Sequence, residues 1–335
     1  MQTPKLMVYT IPIKYLKSIS KHSGESLIMQ KLKLFILLVF CLAISISNLS
    51  AQNFETLFSG KWGTENDRLG IRFPAKGVLP IAPYMCIGGF DVAPDGRIWF
   101  SDSVNRKIKS YKNKKWRYAM VNSEKMGDLD WHDDKLYIIS RNPDGFIVFD
   151  TNSEKVEKIV KVPFQNPLRI ACLNKDLVLI EEQSGGIWVV KNENPTKHQA
   201  TSLEACGVSN MAYGLQLDLI SQNRQIIKAE LGTKMQEPEM VTGLEFEPET
   251  RIVFSKMAGM VKENPVAMII KAKAASKLEF LCFNNEKRTF NSISLPVLPA
   301  PYLLSSWELC SDGKLYGFEG DAKKGFKVLA ATQNF

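Results

Sequence analysis

Between residues 88 and 331 one short pattern returns about every forty residues, and nothing else in the chain constrains its fold as strongly. The clearest copy is "GGFDVAPDGRIWFSDSVNRKIKSYKNKKW", residues 88–116. It reads as an apolar run, an Asp-Gly turn, a second apolar run ending in Asp102, a polar turn and a third run. The order repeats in "GDLDWHDDKLYIISRNPDGFIVFD" (127–150) and "LRIACLNKDLVLIEEQSGGIWVV" (168–190). Looser copies are "NMAYGLQLDLISQNRQIIKAEL" (210–231) and "WELCSDGKLYGFEGDAKKGFKVLAA" (307–331). The second runs centre on Trp99, Tyr137, Leu179 and Leu219, at spacings of 38, 42 and 40 residues. The 97 residues from Leu219 to Tyr316 leave room for one degenerate unit, supplied by "VAMIIKAKAASKLEFLCFNNEKRTF" (266–290), with 233–265 unassigned.

Three short strands cannot bury their own two faces, so each unit needs a neighbour on either side. Helical periodicity is nearly absent after residue 52, and Asp-Gly, Gly-Gly and Asn-Pro turns punctuate the runs. The expected fold is all-β: one six-bladed β-propeller of four-stranded antiparallel blades over residues 53–335. "FETLFSGKW", residues 54–62, is expected to pair with the C-terminal strands and lock the first blade to the last.

"GGFDVAPDGRIWFSDSVNRKIKSY" resembles an NHL repeat, and the lead-in "WGTENDRLGIRFP" (62–74) is similar to the Gly-containing segment that often precedes one. Only residues 62–111 match that pattern well; the other units are weaker and resemble the SMP-30/gluconolactonase group as much as the NHL form. Both families are six-bladed propellers, which the resemblance implies here too. The SMP-30 likeness further implies a divalent cation such as Ca or Zn. Its ligands would be Asn210 in "VSNMA" with Asp128 and Asp102, although the Glu-bearing strand start of that family is missing. "DGRIWFSD" also resembles the virginiamycin-lyase propellers, which rely on a histidine base. Here only His132 and His198 follow residue 52, both in polar turn sequences that read as surface.

Ligands of propellers sit where the innermost strands line the axis. Aligning the units places Phe90, Asp128, Arg169, Asn210 and Trp307 at the start of those strands, a set suited to a small polar or anionic ligand. A one-residue slip in register would turn each of these side chains to the other face. The same alignment puts Asp102, Ser140, Glu182, Gln222 and Glu319 at the ends of the second strands. There they form either a ring of acceptors or tethers for the turns that follow.

The formal charge of +8 raises the question of nucleic acid, but residues 1–52 alone carry a net of +5. The rest has no basic block, so neither nucleic acid nor an anionic membrane surface is indicated. "MQKLKLFILLVFCLAISISNLSAQN", from Met29, has the charged start, short apolar run and small residue of a secretory signal ending at Ala51. Residues 1–28 lack that character and read as an extension ahead of a true start at Met29. After cleavage the protein is expected as a secreted or periplasmic monomer with no membrane insertion; an uncleaved signal would leave it anchored. Beyond the signal, Cys86, Cys172, Cys206, Cys282 and Cys310 are scattered, odd in number and without CxxC spacing. Buried small hydrophobes are expected rather than a zinc site or disulfide framework. The sequence therefore points to a binding module for an envelope or extracellular protein or a small polar ligand. The alternative is a metal-dependent lactonase or hydrolase using Asp102, Asn210 and Asp128.

Overall fold

The computed structural model describes residues 54–72, 87–198, 202–217, 224–231, 237–244, 252–271, 277–298, 307–321 and 323–335. The leader at 29–51 and the positions of Cys86, Leu219 and Gln222 lie outside these residues. Six four-stranded sheets form, each antiparallel and in simple chain order except the last. Blade 1 holds β2 (Phe90–Val92), β3 (Ile98–Asp102), β4 (Lys107–Lys112) and β5 (Lys115–Met120). Blade 2 holds β6 (Lys125–His132), β7 (Lys135–Arg141), β8 (Gly145–Asp150) and β9 (Lys155–Lys161). Blade 3 holds β10 (Pro167–Asn174), β11 (Leu177–Glu182), β12 (Ile187–Lys191) and β13 (Asn194–His198). Blade 4 holds β14 (Leu203–Val208), β15 (Met211–Leu217), β16 (Arg224–Glu230) and β17 (Glu239–Leu244). Blade 5 holds β18 (Ile252–Val261), β19 (Asn264–Lys271), β20 (Lys277–Asn284) and β21 (Thr289–Pro296). Blade 6 holds β22 (Trp307–Leu309), β23 (Leu315–Asp321) and β24 (Gly325–Ala331), and its fourth strand is β1 (Phe54–Gly60). Among the described residues there is no helix, and so none long and apolar enough to cross a membrane.

The packing explains the sequence pattern. A second strand such as β3, "IWFSD", is covered on both faces by neighbouring blades and is buried throughout. The outermost β5, "KWRYAM", half-buries only Trp116 and Ala119 and leaves the rest exposed. Apolar side chains gather in six clusters, one at each junction between blades. The junction of blades 6 and 1 is among them, with Phe90, Phe100, Phe318 and Phe326 in one cluster. A cluster at every seam is what a closed ring requires. Turns vary in chemistry: Gly96 and Gly313 take φ of 79° in Asp-Gly turns, whereas Asp133, Asp134 and Ser209 reach the left-handed region without glycine.

The ring is closed by β1, which runs antiparallel to β24 from Phe54↔Ala331 to Gly60↔Phe326. Phe58 stacks on Tyr111 at 4.0 Å between centroids and meets Phe100, Trp116 and Phe326 edge-on. The Trp62 indole adds a hydrogen bond to the Asp321 carbonyl at 2.7 Å. Cys172, Cys206, Cys282 and Cys310 are free and buried, as their apolar context implied. Burial pushes the Cys206 thiol up to about 12 and the Cys282 thiol to about 11.

Two units are framed differently from the sequence reading. In blade 4 the innermost strand is β14, and "MAYGLQL" is the second strand, so the unit starts earlier than residue 210. Its turn at Ser209–Asn210 has no glycine to announce it. In blade 5 the inner strand is β18, within the stretch that had no assignment, and 266–290 supplies β19, β20 and the start of β21.

Candidate functional site

The innermost strands β2, β6, β10, β14, β18 and β22 each pair on one side only and turn their other edge to the axis. Backbone N–H groups on such an edge need acceptors. Carboxylates from neighbouring blades provide them in sequence round the ring. Asp91 accepts from Trp131 N (2.7 Å) in blade 2 and from Ser311 N (2.9 Å) and Ser311 Oγ (2.6 Å) in blade 6. In blade 2, Asp128 accepts from Ile170 N (3.1 Å) and Asp130 from Cys172 N (2.7 Å), both in blade 3. Glu181 accepts from Ala205 N at 3.4 Å, and Glu204 from Met257 N at 2.7 Å. The acids therefore stitch blade 6 to 1, 1 to 2, 2 to 3, 3 to 4, and 4 to 5.

Arg169 spans further. From β10 its Nη1 donates to Met257 O (2.6 Å) and its Nη2 to Ala258 O (3.2 Å), two blades away on β18. Beside those carbonyls stands Lys256. Its Nζ is buried and has no hydrogen-bond partner. Trp99 Nε1 is the one other such atom among the described residues, but it is a neutral indole N–H. An unpartnered ammonium is far more costly to bury than a neutral donor.

The electrostatics follow from burial and crowding. Burial raises Asp128 to about 7, with Glu308 adding to the rise and Arg169 opposing it. Glu204 is raised to about 7 by burial and by Glu181. Asp91 is raised to about 6 by burial, which the Ser311 hydrogen bonds partly offset. Asp130 stands well above the ordinary range, through burial and the Asp91 charge. Burial also pulls Lys256 down, and Arg169 pulls it further, against Glu308 and Asp128. Burial works against the Arg169 charge as well, but Glu181, Glu308, Asp128 and Glu204 outweigh it and hold that guanidinium protonated. Opposed charges buried together in this way make the inner ring the candidate site.

Of the five residues expected at the axis, Asp128 and Arg169 are brought together. Phe90 and Trp307 are not. Phe90 lies 3% exposed among Phe100 and Phe318, and Trp307 lies 1% exposed in the seam between blades 5 and 6, donating Nε1–H to Pro296 O. The register is offset by one residue there, so the neighbours Asp91 and Glu308 are the ones whose charges reach the ring. Asn210 is exposed in the turn after β14, with its Nδ2 on Glu230 at 2.8 Å. That end of the inner strand is opposite the expected one, because β14 precedes Asn210 as the inner strand and "MAYGLQL" is the second. Glu204 occupies the inner strand in its stead.

Asp102 sits in a network of its own. Fully buried, it accepts from Gly70 N, Asn105 N, Asn105 Nδ2 and the Lys109 ammonium, tethering both the lead-in segment and the "SVNR" turn. Asp102, Asn210 and Asp128 thus belong to three separate sets of contacts. No group of three or more His, Cys, Asp or Glu is placed to hold a metal among the described residues. Glu182 likewise serves its own turn and blade, accepting from Gln165 N, Trp188 Nε1 and Lys197 Nζ. Sequence reasoning missed Asp91, Glu181, Glu204, Lys256 and Glu308. The signal was present as a charged residue set in a short apolar run: "FDV", "LVLIEE", "LEAC", "VFSKMAG" and "WELC".

Neither a protein-family profile nor a curated protein sequence matches the chain. Among solved structures it is similar to the luciferin-regenerating enzyme, at 10% identity and a TM-score of 0.46 over 79% of this chain and 95% of that one. It is also similar to U3-55K, at 12% identity and 0.46 over 73% and 80%. The WD40 β-propeller domain of Doa1 matches at 10% identity and 0.44 over 73% and 78%. The propeller assignment rests on the strand pairing and the six seams.

Proposed function

We propose that this protein is an exported, NHL-like binding module that holds a small polar ligand at the propeller axis. The observation that carries the reading is the buried Lys256 ammonium, which lacks a hydrogen-bond partner inside a ring of inner-strand carboxylates. A scaffold alone gains nothing from such a group, whereas a ligand that supplies an acceptor removes its desolvation penalty. The leader-like sequence at 29–51 supports export. The fold is a common interaction scaffold, but function belongs to the site and not to the fold.

The test is a thermal-shift screen of the full-length protein with carboxylic acids, amines, amino acids, polyols and the ions Ca²⁺ and Zn²⁺. Binding at the axis raises the midpoint in step with occupancy, and Lys256→Met abolishes the rise. A rise with Ca²⁺ or Zn²⁺ that EDTA reverses, with no organic ligand active, would favour a metal-dependent hydrolase instead. No response to any class would overturn the binding reading.

A further inference from the structure

We infer that the axial site takes a zwitterionic ligand of the amino-acid class, its carboxylate on Lys256 and its ammonium held by Asp128 and Glu204. This deepens the binding-module reading and rests on it. The hydrogen-bond inventory sets the demand. Lys256 has an ammonium with no acceptor. The adjacent Arg169 is committed to the Met257 and Ala258 carbonyls, so it adds positive potential without competing as a mobile donor. Asp128 has only Oδ2 engaged, on Ile170 N, and Glu204 only Oε2, on Met257 N. Each keeps a second carboxyl oxygen for a donor.

Charge then selects the class. At pH 8, where Asp128 and Glu204 are ionised, a simple anion drawn to Lys256 would stand among their charges, and like charges in a buried ring repel. A simple cation drawn to the acids would stand beside Lys256 and Arg169 and would leave the lysine unpartnered. A neutral polyol supplies an acceptor but neutralises nothing. A molecule that carries both charges on one carbon, an ammonium and a carboxylate, answers the two halves together, through charge-assisted hydrogen bonds at each end.

Protonation is linked to this arrangement. Asp128 from β6 and Glu204 from β14 are held near 7 by burial and by the acids around them, Glu308 from β22 and Glu181 from β11. Arg169 from β10 and Lys256 from β18 oppose that rise, and Asp130 and Asp91 crowd the same ring from β6 and β2. An incoming ammonium needs these groups ionised, so binding releases protons below pH 7. A single carboxyl of pKa about 7 makes affinity about thirtyfold weaker at pH 5.5 than at pH 8.

The experiment is isothermal titration of the full-length protein with the twenty L-amino acids, propionate, propylamine and xylitol at pH 8 and 5.5. The expected result is binding by one or more amino acids and by none of the other three probes, weakened at least tenfold at pH 5.5. Glu204→Gln keeps an oxygen for Met257 N, and Lys256→Met keeps the stem; each is expected to cost at least tenfold in affinity while melting cooperatively. Propionate binding as tightly as the amino acids, or xylitol binding alone, would overturn the zwitterion and leave the binding module standing. Binding unchanged in Lys256→Met would place the ligand elsewhere and overturn it too. Silence from every probe would remove both readings together.

Discussion

Lys109→Met tests whether the lead-in segment is held to blade 1 by a buried ion pair. Lys109 Nζ lies 2.9 Å from Asp102 Oδ2, and both side chains are wholly out of solvent. The same ammonium donates to the Glu65 and Arg68 carbonyls of the lead-in. Burial draws the Lys109 pKa down, and the Asp102 charge holds it back. Methionine keeps the stem and removes the charge. Asp102 then retains its amide donors from Gly70 and Asn105 but loses its counter-ion, while two carbonyls lose a donor. Breaking a buried pair from one side costs about 3–5 kcal/mol; the surviving amide bonds place this case near the lower figure. For a domain of this size each kcal/mol moves the midpoint by roughly 2 °C, so the variant should melt about 6 °C below the parent. Adding Asp102→Asn removes the stranded charge, and the double variant should recover at least ~1 kcal/mol relative to the sum of the single variants. Circular-dichroism melts and urea titrations of the four proteins measure this. A single variant melting within about 1 °C of the parent, or strictly additive losses, would refute the argument.

The axial acids make a second prediction, about pH. Asp128 and Glu204 at about 7 and Asp91 at about 6 are all raised above the unfolded carboxyl value, so their stabilising, protonated forms are fully present below about pH 4. That contribution is lost as pH rises through 7. Asp128→Asn, which still offers Ile170 N an acceptor, should therefore flatten the fall in stability between pH 5 and pH 8, and an unchanged slope would refute burial as the cause. Lys256→Met should raise the stability of the ligand-free protein by about 1–3 kcal/mol; a loss in urea titration would show that the ammonium is satisfied. Phe58→Ala should lower stability by roughly 2–3 kcal/mol, below the fully buried value because the ring is only half-buried, whereas Leu57→Ala, 43% exposed on the same strand, should change little. Equal effects in calorimetry would show that β1 does not close the ring through its inward face. Cys172, Cys206, Cys282 and Cys310 should resist a thiol reagent until the protein unfolds, and peptide mapping that finds early labelling at any of them would refute their burial.

The fold was legible because each blade repeats its own punctuation. Asp95-Gly96 and Asp312-Gly313 mark the first turn of blades 1 and 6, and Asp133-Asp134 does the same in blade 2. Closure could be read from "FETLFSGKW", an apolar strand left over ahead of the first full unit. The frame failed where a turn had no marker, as at Ser209–Asn210, and where β18 mixed Lys256 and Gly259 into its apolar run. The site was legible only in part for a related reason. Asp128 and Arg169 sit in strands framed by clear turns. Phe90 and Trp307 fell on the wrong face because a short inner strand of three residues carries too little alternation to fix its register. Lys256 was the hardest to pick out: the run "VFSKMAG" sets it off, but one lysine in a strand reads as surface until the strand is known to be central.

The seam between β1 and β24 has a consequence for how the ring comes into being. The Trp62 bond to Asp321 joins points 259 residues apart, and closing so long a loop carries an entropic penalty of roughly 5 kcal/mol before any contact repays it. Five blades can stack by propagation from neighbour to neighbour, but the sixth waits for its first partner strand to find its last. Until then the unfinished sheet offers an open edge that accepts the β1 of another molecule in the same register as its own. Concentrated refolding should accordingly yield strand-exchanged dimers alongside monomers, and dilution before the ring shuts should suppress them.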